Sequence, residues 1–313
     1  MSQLQLYDLR QRQSLPLEQK VILSQKKIRE WHEHWDGDIY VAFSGGKDST
    51  VLLHMVRQLY PSTPGVFSDT GLEFPELKEF IKTFENIITV RPKKSFKQVI
   101  ETCGYPIVSK KVARAINDLQ NPTPKNIASR NLYLTGLNGK GEPCPSRKLA
   151  KKWFKLIEAP FKVSSKCCDI MKKTPLKKYT KESGQKPIVG IMASESSMRE
   201  REYLKSGCNA FNSKNPISTP MSFWTEQDVL EYLVKFNLPY ASVYGEIKQD
   251  ESGHYSTTGE NRTGCIWCGF GCHLEQGENR FQRMKRTHPK LWEYCMKDLK
   301  LKEVLEFIDV PFE

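Results

Sequence analysis

The chain has 313 residues, 38 % hydrophobic and 11 % aromatic, and its 48 Lys and Arg against 36 Asp and Glu give a formal charge of +12. That length buries a full core as one large or two modest domains, and the composition describes a soluble globular protein. The absence of an 18-residue apolar run excludes a membrane-spanning helix, and residues 1–12 lack the apolar centre of a signal peptide. The cytoplasm is therefore the expected compartment, and in that reducing setting the nine cysteines are expected as thiols or metal ligands. The charge implies an anionic partner, nucleic acid or a small polyanion; the alternative is lysine-rich helices that only keep the chain soluble.

In chain order, residues 16–35 set Leu17, Val21, Ile22, Ile28 and Trp31 among charges, which predicts an amphipathic helix filling an N-terminal segment, 1–36. An apolar run at 39–43 predicts a buried strand. It breaks into Ser44-Gly45-Gly46-Lys47-Asp48-Ser49, after which residues 50–59 resume at helical spacing. Strand, glycine turn and helix make an anion cradle: Gly45 and Gly46 let backbone N–H groups face a phosphate, and the helix dipole adds positive potential. Lys47 brings a mobile cation and Asp48 an oxygen ligand for Mg²⁺, and the Ser44 and Ser49 hydroxyls can donate to the same phosphate. GxxxxGK[ST] does not fit here, so the loop is not a Walker A motif.

Residues 65–67 predict a second strand, followed by Asp69-Thr70-Gly71 and a helix opened by Pro75 at its first position. This second crossover sets Asp69 and Thr70 beside the cradle at the carboxyl ends of parallel strands, where open α/β sheets bind nucleotides. Residues 87–90 read as a third strand and 96–103 as a helix. A basic tract follows, with Lys110, Lys111, Arg114, Lys125, Arg130, Arg147, Lys148, Lys151, Lys152 and Lys155 interleaved with Tyr133, Trp153 and Phe154. Cations among aromatics suit phosphate contacts with base stacking; a solvated helical face is the alternative. Thr225 with Asp228 three residues on predicts a capped helix.

Cys167-Cys168 is followed, after a long interval, by Cys265-Ile266-Trp267-Cys268-Gly269-Phe270-Gly271-Cys272. A CxxC pair reaches one metal centre, and the glycines allow the tight turns that aim N–H groups at sulfur. Four thiolates suit an iron–sulfur cluster or tetrahedral Zn²⁺; unligated core cysteines are the remaining alternative. His273, beside Cys272, reads as a hydrogen-bond donor to such a centre.

The Ser44–Ser49 loop resembles the SGGxDS pyrophosphate loop of ATP pyrophosphatases. Together with Asp69-Thr70-Gly71-x-x-Phe74-Pro75-Glu76, Gly190 to Arg199 with Glu195-Ser196, and residues 216–232, it resembles the phosphoadenosine phosphosulfate (PAPS) reductase family. Met192 stands where that family commonly has arginine. The resemblance implies an adenine nucleotide alpha-hydrolase-like fold: α/β, doubly wound, with a mostly parallel sheet and a cysteine-bearing C-terminal part. It implies ATP as ligand, with Lys47 and Asp48 catalytic and Ser44, Gly45, Gly46, Lys47, Asp48, Ser49, Asp69, Thr70, Glu195 and Arg199 holding the nucleotide and Mg²⁺. The expected organisation is residues 1–36, a nucleotide-binding domain at 37–245 with a basic insertion at about 104–165, and a cluster-bearing region at 246–313.

The cysteine pattern resembles the [4Fe–4S] sites of assimilatory adenylyl sulfate reductases, which implies Cys167, Cys168, Cys265 and Cys268 as ligands, with Cys272 able to replace one; Zn²⁺ stays open. The reductases' C-terminal E-C-G-[IL]-H motif has no match, and they have generally lost the intact loop kept here. The sequence therefore resembles more closely the iron–sulfur, ATP-using enzymes of tRNA thiolation or DNA phosphorothioation. That implies an adenylyl/sulfur transferase acting on tRNA or DNA, with a sulfur donor protein as a further partner and no membrane. A sulfonucleotide reductase and a nucleotide-binding regulatory protein with a structural metal remain the alternatives.

Overall fold

The computed structural model describes residues 4–313, so residues 1–3 of the expected N-terminal segment lie outside it. In chain order the strands are β1 (Ile39–Ala42), β2 (Gly65–Ser68), β3 (Ile87–Val90), β4 (Ile107–Val108), β5 (Lys186–Val189), β6 (Asn209–Ala210), β7 (Ile217–Ser218), β8 (Ile247–Gln249), β9 (Tyr255–Thr257) and β10 (Gly269–Phe270). The chain divides into two compact units. One takes residues up to 69, 73–91 and 175–263; the other takes 70–72, 92–174 and 264–313.

The first unit is built on a six-stranded sheet in the order β3-β2-β1-β5-β7-β6. Every neighbouring pair is parallel except β6 with β7, so the fold is the expected doubly wound, mostly parallel α/β sheet. Strand β1 is central, and its residues Ile39, Tyr40 and Val41 are buried, as a strand covered on both faces requires. From β1 the chain steps outward through β2 to β3, whereas β5 starts the opposite wing. The order therefore reverses between β1 and β5, and the loops leaving those two strands face each other at the carboxyl edge.

The expected single N-terminal helix is two, Leu6–Gln13 and Leu17–His34. Pro16 separates them: its ring excludes a continuous helix but suits the N-cap of the second. On that second helix Leu17, Lys20, Ser24, Ile28 and Trp31 share the buried face. Lys20 is neutralised there by both carboxylate oxygens of Asp228, at 2.7 and 2.8 Å. Asp228 is also the third residue of helix Glu226–Lys235 and completes the predicted capping box with Thr225.

The second unit is mostly helical and carries the two-stranded parallel sheet β10-β4. Its basic tract folds around Tyr133, Trp153 and Leu156, all buried. Tyr133 and Trp153 are core residues of this unit, and of the two uses weighed for the tract's aromatics, base stacking does not apply to these two. The turn of chain Lys151–Glu158 is 3₁₀, which keeps Trp153 and Leu156 inward while Lys151, Lys152 and Lys155 stay exposed.

Candidate nucleotide site and cysteine centre

The cradle forms where β1 runs into helix Lys47–Leu59. Gly45 has φ +72°, and a Cβ there would lie 2.7 Å from Ile81 Cγ1, so this turn requires glycine. Gly46 is the N-cap, with no side chain capping the helix. The two serines brace the loop from within: Ser44 N–H donates to Ser49 Oγ at 3.2 Å, the two hydroxyls lie 3.1 Å apart, and Ser49 Oγ donates to Gly46 O at 2.9 Å. Gly190, at the end of β5, passes so close that a Cβ would meet Asp48 O at 3.2 Å.

Lys47 is buried and fully engaged. Its Nζ donates to Asn261 O at 2.7 Å and pairs with Glu226 Oε1 at 3.0 Å, and its backbone N–H donates to the Tyr244 hydroxyl at 3.2 Å. Tyr244 in turn shares a 2.7 Å hydrogen bond with Thr263 Oγ1. Asp48 is different. Its Oδ1 is buried without a hydrogen-bond partner among the described residues, and the nearest cation, Lys47 Nζ, is 4.0 Å away. Burial pushes the Asp48 carboxyl up and Glu226 adds to this, while Lys47, Arg262 and Arg199 pull it back. A buried carboxylate oxygen with no donor is the position a hard cation takes, so the residues present fit Mg²⁺ held by Asp48.

The loop after β5 supplies the other charged pair. Glu195 closes its own turn by accepting from Met192 N–H at 3.0 Å, and it pairs with Arg199 one helical turn on. Met192, at the position where the family commonly has arginine, is buried in the core. A second guanidinium reaches Glu195 from elsewhere, with Arg262 Nη1 3.7 Å from Oε1. The structure thus brings Ser44–Ser49, Glu195 and Arg199 to one edge of the sheet. Asp69 follows β2 on that edge, with its carboxylate paired to Lys78 and Arg91 at 3.1 Å each. Thr70 belongs to the second unit, where its Oγ1 accepts from Leu72 N–H at 3.2 Å.

Glu226, Tyr244, Asn261, Arg262 and Thr263 were not read from the sequence as site residues. The segment 225–232 looked purely structural because its capping box explains it. The one available signal in 257–264 was its polar, glycine-containing run directly before Cys265.

In the second unit the cysteine pair opens a π-helical turn, Asp169–Lys173, a rare geometry concentrated at functional sites. Burial raises the Cys167 thiol, and the neighbouring thiols of Cys265, Cys168 and Cys268 raise it further. Cys268 is also raised, first by burial; Phe270 N–H and Arg280 oppose this, and Cys168 adds to it. Those four are therefore electrostatic neighbours. Cys272 sits apart in its bonding: it is buried, its Sγ donates to Gly269 O at 3.0 Å, and burial pushes it up to about 11. Among the described residues no three His, Cys, Asp or Glu side chains gather closely enough to hold a single metal ion. Thiolate sulfur as the donor suits an iron–sulfur cluster and a tetrahedral Zn²⁺ alike.

The CxxC turn is held by its own unit. Gly269 pairs with Ile107, and a Cβ on it would meet Ile107 Cγ2 at 2.9 Å. Val108 is forced to φ +63°, an unusual value for a β-branched residue, while its carbonyl accepts from Gly271 N–H at 2.9 Å. Arg280 Nη1 donates to Cys268 O at 2.9 Å, and Glu275 clamps the same guanidinium. The His273 Nδ1 and Trp267 Nε1 atoms are buried without partners among the described residues.

A doubly wound sheet with a glycine cradle, a half-buried carboxylate and a pair of guanidiniums at one edge defines an α/β protein with a candidate anion site. More particularly, the chain belongs to the phosphoadenosine phosphosulfate reductase domain family, which it matches over residues 38–121 and 138–268. It is 27 % identical over 270 residues to an uncharacterized protein of Methanocaldococcus jannaschii, covering 85 % of this chain and 42 % of that one. It is also 27 % identical over 123 residues to the adenosine 5'-phosphosulfate reductase of Bacillus cereus, covering 35 % of this chain and 50 % of that enzyme. The chain thus spans half the length or less of these curated relatives. The U34-tRNA thiolase NcsA of Methanococcus maripaludis, solved with its [4Fe-4S] cluster, aligns over 92 % of this chain and 80 % of its own. At 15 % identity and a TM-score of 0.36 that likeness carries nothing over to this chain. No helix among the described residues is long and apolar enough to cross a membrane.

Proposed function

We propose that this chain is an ATP-dependent adenylyl/sulfur transferase that cleaves ATP to AMP and pyrophosphate, holds a [4Fe–4S] cluster, and acts on a nucleic acid. The observation that carries the reading is Asp48: a buried carboxylate oxygen without a donor, beside a lysine and a glycine cradle, meets the needs of a metal-bound pyrophosphate. A sulfonucleotide, which has no β,γ-pyrophosphate, has no use for that arrangement.

In this reading ATP lies with its β- and γ-phosphates at the N-terminus of helix Lys47–Leu59. An oxygen of the acceptor attacks the α-phosphorus, the bond to the β-phosphate oxygen breaks, and a sulfur species later displaces AMP. Lys47 exchanges its contacts with Asn261 and Glu226 for phosphate oxygens and stabilises the departing charge, while Asp48 holds Mg²⁺. The Ser44 and Ser49 hydroxyls turn from each other to the phosphate. Cys167, Cys168, Cys265 and Cys268 would hold the cluster, with Cys272 as the reserve thiol; when bound, the cluster supplies a place to hold sulfur. Exposed Lys151, Lys152 and Lys155 suit contacts to a polyanionic acceptor.

One comparison favours a second reading, a sulfonucleotide reductase, because a relative from Bacillus cereus carries that activity in its name. Asp48→Asn separates the two. Under the transferase reading the wild-type protein, purified anaerobically and given Mg²⁺, ATP and tRNA or DNA, releases pyrophosphate and AMP, and the variant does not. Sulfite release from adenosine 5'-phosphosulfate, retained by the variant and with no pyrophosphate formed by either protein, would establish the reductase instead.

A further inference from the structure

The charged groups around the cradle include one whose use the reading above does not explain. Glu195, with only 12 % of its side chain exposed, is shared by two guanidiniums, Arg199 and Arg262. Two cations crowd one carboxylate, and the second of them is held at arm's length, 3.7 Å away with 60 % of its side chain exposed. Burial lowers the Arg199 pKa, and the charge of Arg262 lowers it further, so the guanidiniums repel one another where they stand. The Asp48 carboxylate acts on both guanidiniums as well, so the cluster is balanced in charge, and Arg262 is its exposed and loosely held member, placed to turn toward an anion.

Its placement is fixed by its neighbours in sequence. Asn261 O receives Lys47 Nζ at 2.7 Å, and Thr263 Oγ1 bonds to the Tyr244 hydroxyl at 2.7 Å, which itself receives the Lys47 backbone N–H. The residues on either side of Arg262 are therefore tied to the first residue of the cradle helix. A Cβ on Gly46 would lie 3.2 Å from the Tyr244 hydroxyl and 3.5 Å from Thr263 Oγ1, so this strap passes directly over the helix N-cap.

We propose that Arg262 is a phosphate ligand of this site, releasing Glu195 to Arg199 alone and closing its guanidinium on the terminal phosphates of a bound nucleoside triphosphate or on free pyrophosphate. The inference rests on the ATP reading and adds to it a residue outside the Ser44–Ser49 loop. It gives the strap 261–263 a role: Asn261 and Thr263 set its height above the cradle, and Arg262 is the hand it extends. Arginine suits the task because its planar fork can take two oxygens of one phosphate, a geometry lysine lacks.

The test is calorimetric binding of Mg²⁺-ATP, pyrophosphate and AMP to the full chain, comparing wild type, Arg262→Ala and Arg262→Lys. Arg262→Ala should weaken ATP and pyrophosphate by about tenfold or more, the size of a lost charge-assisted hydrogen bond, and leave AMP within about twofold. Arg262→Lys should recover part of the loss, because it restores charge but not the fork. Equal binding of pyrophosphate by wild type and Arg262→Ala overturns the assignment of Arg262 while the ATP reading stands. So does an equal loss for AMP, which points to a general disturbance of the site. A wild-type chain that binds neither ATP nor pyrophosphate overturns the ATP reading itself and the assignment with it.

Discussion

The two units solve opposite problems. At the phosphate cradle nearly every polar group already has a protein partner: Lys47 is saturated by Asn261, Glu226 and Tyr244, the serines bond to each other, and Glu195 holds two arginines. At the cysteine centre burial and then neighbouring thiols raise Cys167 and Cys268, and Trp267 Nε1 and His273 Nδ1 are left without hydrogen-bond partners among the described residues. On the proposed reading the first is a receptor folded in advance, whose ligand would displace internal contacts. In the proposed reading the second is a set of buried thiols that a bound cation would hold as thiolates. Binding at the cradle is expected to be selective and moderate in strength, whereas occupation of the cysteine centre is expected to contribute directly to folding.

The largest effects should therefore fall on the cysteines. Cys167→Ser and Cys265→Ser should each abolish iron uptake on anaerobic reconstitution, where wild type takes up about four iron and four sulfide per chain. Cys272→Ser should retain the iron, because that thiol is already bonded to Gly269 O. One zinc per wild-type chain and no sulfide would remove the cluster from the comparison and leave a structural metal.

Next in size is a loss in the sheet-bearing unit. Lys20→Met leaves Asp228 buried and unpaired and should cost about 3–5 kcal/mol, read as a fall in the denaturant midpoint. A loss below about 1 kcal/mol would mean that water reaches the carboxylate and that this unit is less tightly prearranged than its hydrogen bonds imply. Smaller again is Gly45→Ala. It places a Cβ against Ile81 and holds alanine at φ +72°, for a cost of about 1–2 kcal/mol together with weaker pyrophosphate binding.

Much of the sheet-bearing unit could be read from sequence, because its signals are local. The apolar run of β1, the glycine turn, Pro75 opening its helix and the Thr225–Asp228 capping box each concern residues within a few positions of one another. The grouping of Cys167 and Cys168 with Cys265 and Cys268 came from the resemblance to adenylyl sulfate reductases rather than from any local signal. The parts that escaped are those that depend on distant segments meeting. Lys47 meets Glu226 and Asn261 across about two hundred residues, and no periodicity in 257–264 announces that its carbonyl and hydroxyl groups face the cradle. The basic tract misled for a related reason. Alternation of cations and aromatics is equally compatible with rings turned outward to stack and rings turned inward to pack, and only burial decides that Trp153 and Tyr133 are core.

The smallest expected effect bears most directly on the contrast between the units, because it concerns a side-chain oxygen of the cradle that has no hydrogen-bond partner among the described residues. The folded-state pKa of Asp48 lies above its usual value, chiefly through burial. As pH rises, the unfolded chain releases this proton first, so ionisation favours unfolding, and stability falls as pH climbs through the Asp48 range. Asp48→Asn removes that penalty. In the absence of Mg²⁺ the variant should melt slightly above wild type at neutral pH, and the advantage should shrink as pH is lowered and wild-type Asp48 takes up its proton. Adding Mg²⁺ with pyrophosphate should reverse the order, raising the wild-type midpoint and leaving the variant's nearly unchanged. The same substitution then stabilises the empty chain and removes its activity, as expected where a buried charge is kept for a ligand rather than for the fold. A variant that melts below wild type without Mg²⁺ would show that Lys47, Arg199 and Arg262 already satisfy the carboxylate, and the cradle would then be a fully compensated site with no built-in demand for a metal.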